Sequence, residues 1–308
     1  MTKYSIFIFR RDLRIYDNIA FNYAISKYDN ILPIFIFTLE QISSKNKFKS
    51  DNAVQFMIES LKELDTELKQ NNSKLHIFKG DNIKILKSII NDIDVENIIF
   101  NMDYTPYALK RDKEIESLCE SKKISCIIKE DYLLKPIGAF LKKDGDPYTI
   151  FTPFKNNAIT DKIDKPSRLK VKNLSKSNKL KTTDYIKYSI NENILVNGGR
   201  SNGLKQLNKI KGQKKYNKDR NTLSIETSLL SAYIKFGCIS IREVYWKIKD
   251  KLGISNDLLS QIFWREFYFY IAYYFPQVLK GKNYNEKYDD IKWNKNSSLF
   301  KKSCDGET

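Results

Sequence analysis

The sequence predicts an α/β domain on an open, doubly wound, mostly parallel sheet, followed by an all-α domain. Three observations predict it. Short apolar, β-rich runs alternate with helix-period patterns across residues 1–135. Strand signals then fade, and apolar residues recur at helical spacing over residues 196–308. The charge is also partitioned: residues 1–150 carry 23 Lys and Arg against 22 Asp and Glu, whereas residues 151–308 carry 31 against 15. A chain of 308 residues accommodates two such domains at roughly 150 residues each.

Taken in order, Tyr4–Phe9 and Ile31–Phe37 are continuous apolar runs of the kind buried on both faces of a parallel sheet. Residues 74–78, 98–100 and 124–128 read as three more strands. Between them, Val54, Met57, Leu61, Leu64 and Leu68 recur at intervals of three and four, which places all five on one helix face. Ile83, Leu86 and Ile90 repeat the pattern, and Pro106 suits the first turn of a helix reaching Cys119. Such β–α alternation puts ligand sites at the carboxyl ends of the strands. Neither G-x-G-x-x-G nor G-x-x-x-x-G-K-[ST] occurs, so an ordinary dinucleotide or P-loop site finds no support.

Residues 136–195 read as a linker. They hold Asp144-Gly145-Asp146-Pro147 and a Lys/Asn/Ser-rich stretch over 167–187, expected to wrap partly over the surface. Asn197-Gly198-Gly199-Arg200 then leads into Leu204, Leu207 and Ile210, and residues 223–234, Ile241–Leu252 and 258–278 read as successive helices. The last carries Trp264, Phe267, Tyr268, Tyr270, Tyr273 and Tyr274. Rings interleaved with cations suit stacking on nucleobases or a flat cofactor, although most helix aromatics pack in a core.

A hydrophobic content of 41% excludes a wholly disordered chain. The net charge of +17 suggests a polyanionic partner, nucleic acid before membrane, because no basic amphipathic helix with an apolar anchor is legible. Only nine of the 54 basic residues are arginine, and a Lys/Asn/Ile bias also arises from an AT-rich genome. No apolar run reaches membrane length, and Arg10 and Arg11 interrupt any N-terminal signal, so an intracellular location is expected. The four cysteines lack C-x-x-C spacing and His76 is the only histidine, so a structural zinc is not expected.

Four stretches together resemble the DNA photolyase/cryptochrome family. They are Phe7-Ile8-Phe9-Arg10-Arg11-Asp12-Leu13-Arg14-Ile15-Tyr16-Asp17-Asn18, then Tyr148-Thr149-Ile150-Phe151-Thr152-Pro153-Phe154-Lys155. Thr227-Ser228-Leu229-Leu230-Ser231 with Lys235-Phe236-Gly237-Cys238-Ile239-Ser240 comes third, and Gln261-Ile262-Phe263-Trp264-Arg265-Glu266-Phe267-Tyr268 fourth. The resemblance spans essentially the whole chain. It implies an antenna domain, with a folate or deazaflavin chromophore, followed by a helical FAD domain that repairs cyclobutane pyrimidine dimers in damaged DNA by light-driven electron transfer.

Residue by residue, the resemblance implies that Tyr216, Thr227, Ser228, Leu229, Leu230 and Ser231 hold the flavin. Clustered hydroxyls at a helix start do form an anion site. It also implies that Arg220 reaches DNA, that Trp264 stacks against a flipped pyrimidine pair, that Gln261 hydrogen-bonds it, and that Arg265 and Tyr268 line the same region. Trp293 resembles one tryptophan of the family's electron-transfer chain.

Departures from the pattern sharpen these expectations. Gln261 stands where many dimer photolyases have glutamate, and with Phe236-Gly237-Cys238 it leans toward the (6-4) and animal cryptochrome branch. The (6-4) reaction needs histidine acid–base chemistry, and His76 lies in a front-domain strand. Tyr107 and Ala108 stand where folate-binding members have Asn and Glu, and Leu229 replaces an arginine of many relatives. Asp305-Gly306-Glu307-Thr308 resembles the start of a motif that continues in relatives. The FAD domain is therefore expected to be incomplete, with a second polypeptide or a degenerate gene product as the alternatives.

Overall fold

In the computed structural model, which describes residues 2–307, the apolar runs form strands β1 (Tyr4–Phe9) and β2 (Ile31–Phe37). Strands β3 (His76–Lys79), β4 (Val95–Asn101) and β5 (Ser125–Lys129) complete an all-parallel sheet in the order β3-β2-β1-β4-β5. Helices α1 (Ile19–Lys27), α2 (Leu39–Ile42), α3 (Asp51–Gln70), α4 (Asn82–Asp92) and α5 (Pro106–Lys122) connect the strands.

Successive side chains of a strand point to opposite faces, and both faces are covered. Phe7, Phe9, Phe35 and Phe37 share one core with Phe21 of α1 and Leu61 and Leu64 of α3. Ile6, Ile8, Ile34 and Ile36 share the other with Leu86 of α4 and Ile115 of α5. Polar side chains fix the helix starts by accepting a first-turn N–H: Ser50 for α3, Asp81 for α4 and Thr105 for α5. Helix α1 was not legible as a periodic run, yet Asn18 caps it by accepting from the Phe21 N–H.

Helix α6 (Phe151–Ala158) follows the sheet. The back half contains α7 (Arg200–Asn208), α8 (Tyr216–Asp219), α9 (Ser231–Lys235), α10 (Ile241–Leu252), α11 (Asp257–Tyr274) and α12 (Ser297–Asp305). The structure corrects the reading here in two places. The helix expected over 223–234 is only the five residues of α9, because Leu229 takes a left-handed backbone (φ 51°) that no α-helix continues through. Residues Leu223 and Ile225 are exposed instead of packed. The helix expected over 258–278 ends at Tyr274, because the residue before Pro276 is pushed out of the α region and Phe275 sits at φ −125°, ψ 59°. Thr308, the last residue of the C-terminal motif, lies outside the described residues.

The two halves are joined by a buried ionic network. Arg14, just after β1, donates to Asp131 Oδ2 at 2.6 Å and to the Gly237 carbonyl at 3.0 Å. Arg242 of α10 donates to Asp17 Oδ2 at 2.9 Å and to Asp131 Oδ1 at 2.7 Å. Burial alone would push the Asp131 carboxyl up, but Arg14 and Arg242 outweigh it and hold Asp131 below the ordinary carboxylate range. The Leu13 N–H donates to the Phe236 carbonyl at 3.1 Å, bringing the two backbones into direct contact. This junction places the carboxyl end of β1 beside α9 and α10.

Candidate functional site

A cleft of about 620 Å³ opens at that junction, within the usual size range of small-molecule sites. One lip is the irregular segment Thr227-Ser228-Leu229-Leu230 leading into Ser231. The left-handed Leu229 breaks the helix and so leaves Thr227 and Ser228 lining the cleft. The N-cap of α9 is Leu230, which makes no side-chain cap bond, so the first N–H groups of that turn have no side-chain acceptor. The floor is apolar: Val244 and Ile248 from α10, Leu258 and Ile262 from α11. Gln261 and Arg265, four residues apart on α11, share one helix face and also line the cleft. Tyr216, Lys235 and Arg11 also line it.

Eight sequence-predicted residues therefore meet in one place: Tyr216, Thr227, Ser228, Leu229, Leu230, Ser231, Gln261 and Arg265. Four others stand apart from the cleft lining. Arg220 is exposed beyond the end of α8. The Trp264 indole stacks on Phe151 of α6, with ring centres 3.6 Å apart and planes within 10°, so one of its faces is already covered. Tyr268 stacks against Trp264 at 5.5 Å and is 62% exposed. Trp293 lies before α12, 72% exposed and without an aromatic neighbour among the described residues.

Arg265 is held from behind. Its Nη1 donates to Glu266 Oε1 at 3.0 Å, and its guanidinium lies 4.7 Å from the Phe269 ring centre. Glu266 has no exposed surface, and its Oε2 accepts the Leu134 N–H at 2.8 Å, which ties α11 to the front half. Burial pushes the Glu266 carboxyl up to about 7, against the opposing pull of Arg265. A carboxyl raised in the folded state stabilises most below its unfolded pKa, and that stability is lost as pH rises through the folded value. Glu266→Gln keeps the acceptor for Leu134 but cannot ionise. The wild-type stability measured against the variant should therefore fall by on the order of 3 kcal/mol between pH 4 and pH 8. Urea midpoints across that range test this, and parallel curves would refute it.

Residues that sequence reasoning missed lie at the turn after β1. Arg11 lines the cleft, donates through Nη1 to Asp103 Oδ2 at 2.9 Å and through Nε to the Lys235 carbonyl at 3.1 Å. It also borders a second cavity, of about 320 Å³, at the carboxyl ends of β1 and β2. Arg10, Thr38, Tyr107 and Arg111 line that cavity. Buried atoms of three of them, Arg10 Nη2, Arg111 Nη2 and Thr38 Oγ1, have no hydrogen-bond partner. Four charged residues within Arg10-Arg11-Asp12-Leu13-Arg14, directly after a buried strand, were the available signal. The predicted histidine question is also placed: His76 is fully buried, with Nδ1 3.0 Å from the Pro33 carbonyl and Nε2 accepting the Ser177 N–H at 3.3 Å.

Comparison with known proteins agrees with this layout. The family model of DNA photolyase matches residues 5–170, and that of the FAD binding domain of DNA photolyase matches residues 258–308. A (6-4)DNA photolyase of Arabidopsis thaliana is 26% identical over 99% of this chain and 61% of its own length. A deoxyribodipyrimidine photo-lyase of Agrobacterium fabrum is 26% identical over 97% of this chain and 65% of its own length. The chain thus spans less than two thirds of these relatives. Among solved structures, an archaeal photolyase from Sulfolobus tokodaii, described with two FAD molecules, superposes with a TM-score of 0.84 at 33% identity, covering 99% of this chain and 67% of its own. A five-stranded α/β front and a helical back whose cleft is bordered by Arg11 of the front, matched by a family model over more than half of the chain, lead to one conclusion: the chain belongs to the DNA photolyase family.

Proposed function

We propose that this chain is a deoxyribodipyrimidine photo-lyase that takes FAD in the cleft and acts on cyclobutane pyrimidine dimers in DNA. The observation that carries the reading is the cleft itself. A hydroxyl-bearing segment leading into a helix start without a side-chain cap lines the same cleft as Gln261, Arg265 and a set of apolar residues. That donor set fits a flavin dinucleotide. Thr227, Ser228 and Ser231 would hold the pyrophosphate, while Val244, Ile248, Leu258 and Ile262 would pack the apolar part. When bound and reduced, the flavin would supply one light-driven electron that is returned once the cyclobutane ring has opened, so the splitting is redox-neutral. The protein's share is positioning: Gln261 would donate to and accept from the flipped bases, and Arg265, fixed by Glu266, would keep positive charge at the cleft wall.

The orphaned guanidinium nitrogens of Arg10 and Arg111 suit an anionic second chromophore in the front cavity. A phosphate-bearing flavin fits them, and Tyr107 and Ala108 line the same space. One observation favours a second reading. Phe151 already covers a face of Trp264, which suits a cryptochrome-like flavoprotein that binds no extruded pair.

The test is loss of thymine dimers from a lesion-bearing oligonucleotide under blue light with reduced FAD. It is run with the chain alone and with a polypeptide supplying the remaining third of the relatives' length. The expected result is light-dependent dimer loss in at least the second arm. Thr227→Ala, Ser228→Ala and Ser231→Ala combined should weaken flavin binding by at least ~10²-fold, since each charge-assisted hydrogen bond contributes about 1.5–3 kcal/mol. Flavin retained with no dimer loss in either arm, and no preference for damaged duplex, would select the cryptochrome-like reading.

A further inference from the structure

Much of the positive charge of the back half lies away from the cleft. Residues 162–187 carry nine Lys and Arg against two Asp, and this segment lies on the α/β domain as a strap. Its backbone is tied down at short intervals. The Asp17 N–H donates to Ser167 O, the Ile31 N–H to Asn173 O, the Ser175 N–H to Ile31 O and the Thr183 N–H to Ile77 O, all at 2.8 Å. Leu174 forms a parallel bridge with Ile31. Ser177 is held by His76, and the Asn173 amide donates to the Tyr28 carbonyl at 2.8 Å.

Every third side chain turns inward. Val171 and Leu174 pack on one core, Ser177 is buried, and Leu180 joins the other core. Lys170, Lys172, Lys176, Lys179 and Lys181 are consequently all exposed, and none takes part in an ion pair among the described residues. Ile31 and His76 are the first residues of β2 and β3, so this row lies at the end of the sheet opposite to the cleft-lining Arg11.

We infer that the strap is a second nucleic-acid track, which holds the phosphate backbone of duplex DNA without reading its sequence. Lysine is a mobile point charge without the bidentate fork that reads base edges, so the row recognises phosphates and not bases. An extended strap rising about 3.1 Å per residue gives the eleven steps from Lys170 to Lys181 a contour of about 34 Å, close to one duplex turn. No aromatic residue stands among 167–184 to stack a single strand, and Leu169 is the one large apolar side chain exposed there among the described residues, too little to enter a lipid surface. Backbone anchoring means that little chain entropy is lost on binding. This inference does not depend on flavin or lesion chemistry, because undamaged duplex is the ligand.

The experiment measures affinity for an undamaged 20-base-pair duplex from 50 to 200 mM salt. The proteins compared are wild type, a variant with all five lysines changed to glutamine, and one with all five changed to arginine. Each neutralised phosphate contributes about −0.9 to the slope of log K against log salt, so the glutamine variant should lose about 4.5 of that slope. Wild-type binding should then weaken about 500-fold more than the variant's over this range. The arginine variant should keep the wild-type slope, and circular dichroism should show all three folded alike. An unchanged slope in the glutamine variant overturns the proposal. So does equal loss of binding to anionic phosphatidylserine vesicles with duplex binding intact, which would make the strap a membrane contact.

Discussion

Arg242→Ala should destabilise the protein by about 3–5 kcal/mol and uncouple its two halves, because it strands the buried Asp17 carboxylate and removes one of the two guanidiniums on Asp131. In the wild type, one guanidinium satisfies Asp17 Oδ2, Asp131 Oδ1 and the backbone carbonyls of Asp17 and Asp131. Arg14 remains on Asp131 in the variant, but Asp17 keeps only the Ser240 hydroxyl and the Ser167 N–H. Lysine should rescue only in part, since one ammonium cannot span both carboxylates as a planar fork does. The readout exploits the placement of all three tryptophans, Trp246, Trp264 and Trp293, in the back half. Indole fluorescence then reports that half alone, while far-ultraviolet circular dichroism reports both. The two urea transitions should coincide in wild type and separate in Arg242→Ala. Coincident transitions with an unchanged midpoint would show that the junction is held elsewhere.

Gly237→Ala should have an effect of comparable size through a different cause. Gly237 sits at φ 67°, where a side chain costs about 1–2 kcal/mol in any surroundings. Here a Cβ would also stand 2.1 Å from the Arg11 carbonyl oxygen and 2.5 Å from the Asp12 Cα. Those are backbone atoms of the other half, so relief requires the halves to separate rather than a rotamer to turn. Overpacking of this kind adds about 1–3 kcal/mol. Because Arg11 lines the cleft and donates to Lys235 O, the same substitution should weaken flavin binding along with stability. A thermal melt and a flavin titration on one preparation would check both, and a variant that melts like wild type would refute the steric account.

The sheet was legible in the sequence because burial on both faces demands unbroken apolar runs. Ile31–Phe37 is such a run from end to end, and all seven residues are buried. Helix α3 was legible because Val54, Met57, Leu61, Leu64 and Leu68 repeat at the helical interval, and all five are buried. The shorter back-half elements were not. Nothing in Leu223 to Ser231 announces that Leu229 adopts a left-handed turn, since that conformation is imposed by its surroundings and not by leucine's preference.

The candidate site divides along the same line. The hydroxyls of residues 227–231 and the Gln261-to-Arg265 helix turn could be read as local strings, and both do reach the cleft. The covering of Trp264 by Phe151 could not, since those residues are 113 positions apart and meet only when α6 packs on α11.

By itself, the sequence determined the α/β-then-helical order, the strand and helix periods, the family and the excess of lysine, because each is a property of composition or of neighbours along the chain. Tertiary structure alone decided that Arg14, Asp17, Asp131 and Arg242 form one buried network, that Arg11 serves two cavities, and that the lysines of residues 170–181 ride on the far end of the sheet. The reason is physical. Charges are costly to bury unless partners from distant segments arrive together, and only the folded chain brings those segments within hydrogen-bonding distance.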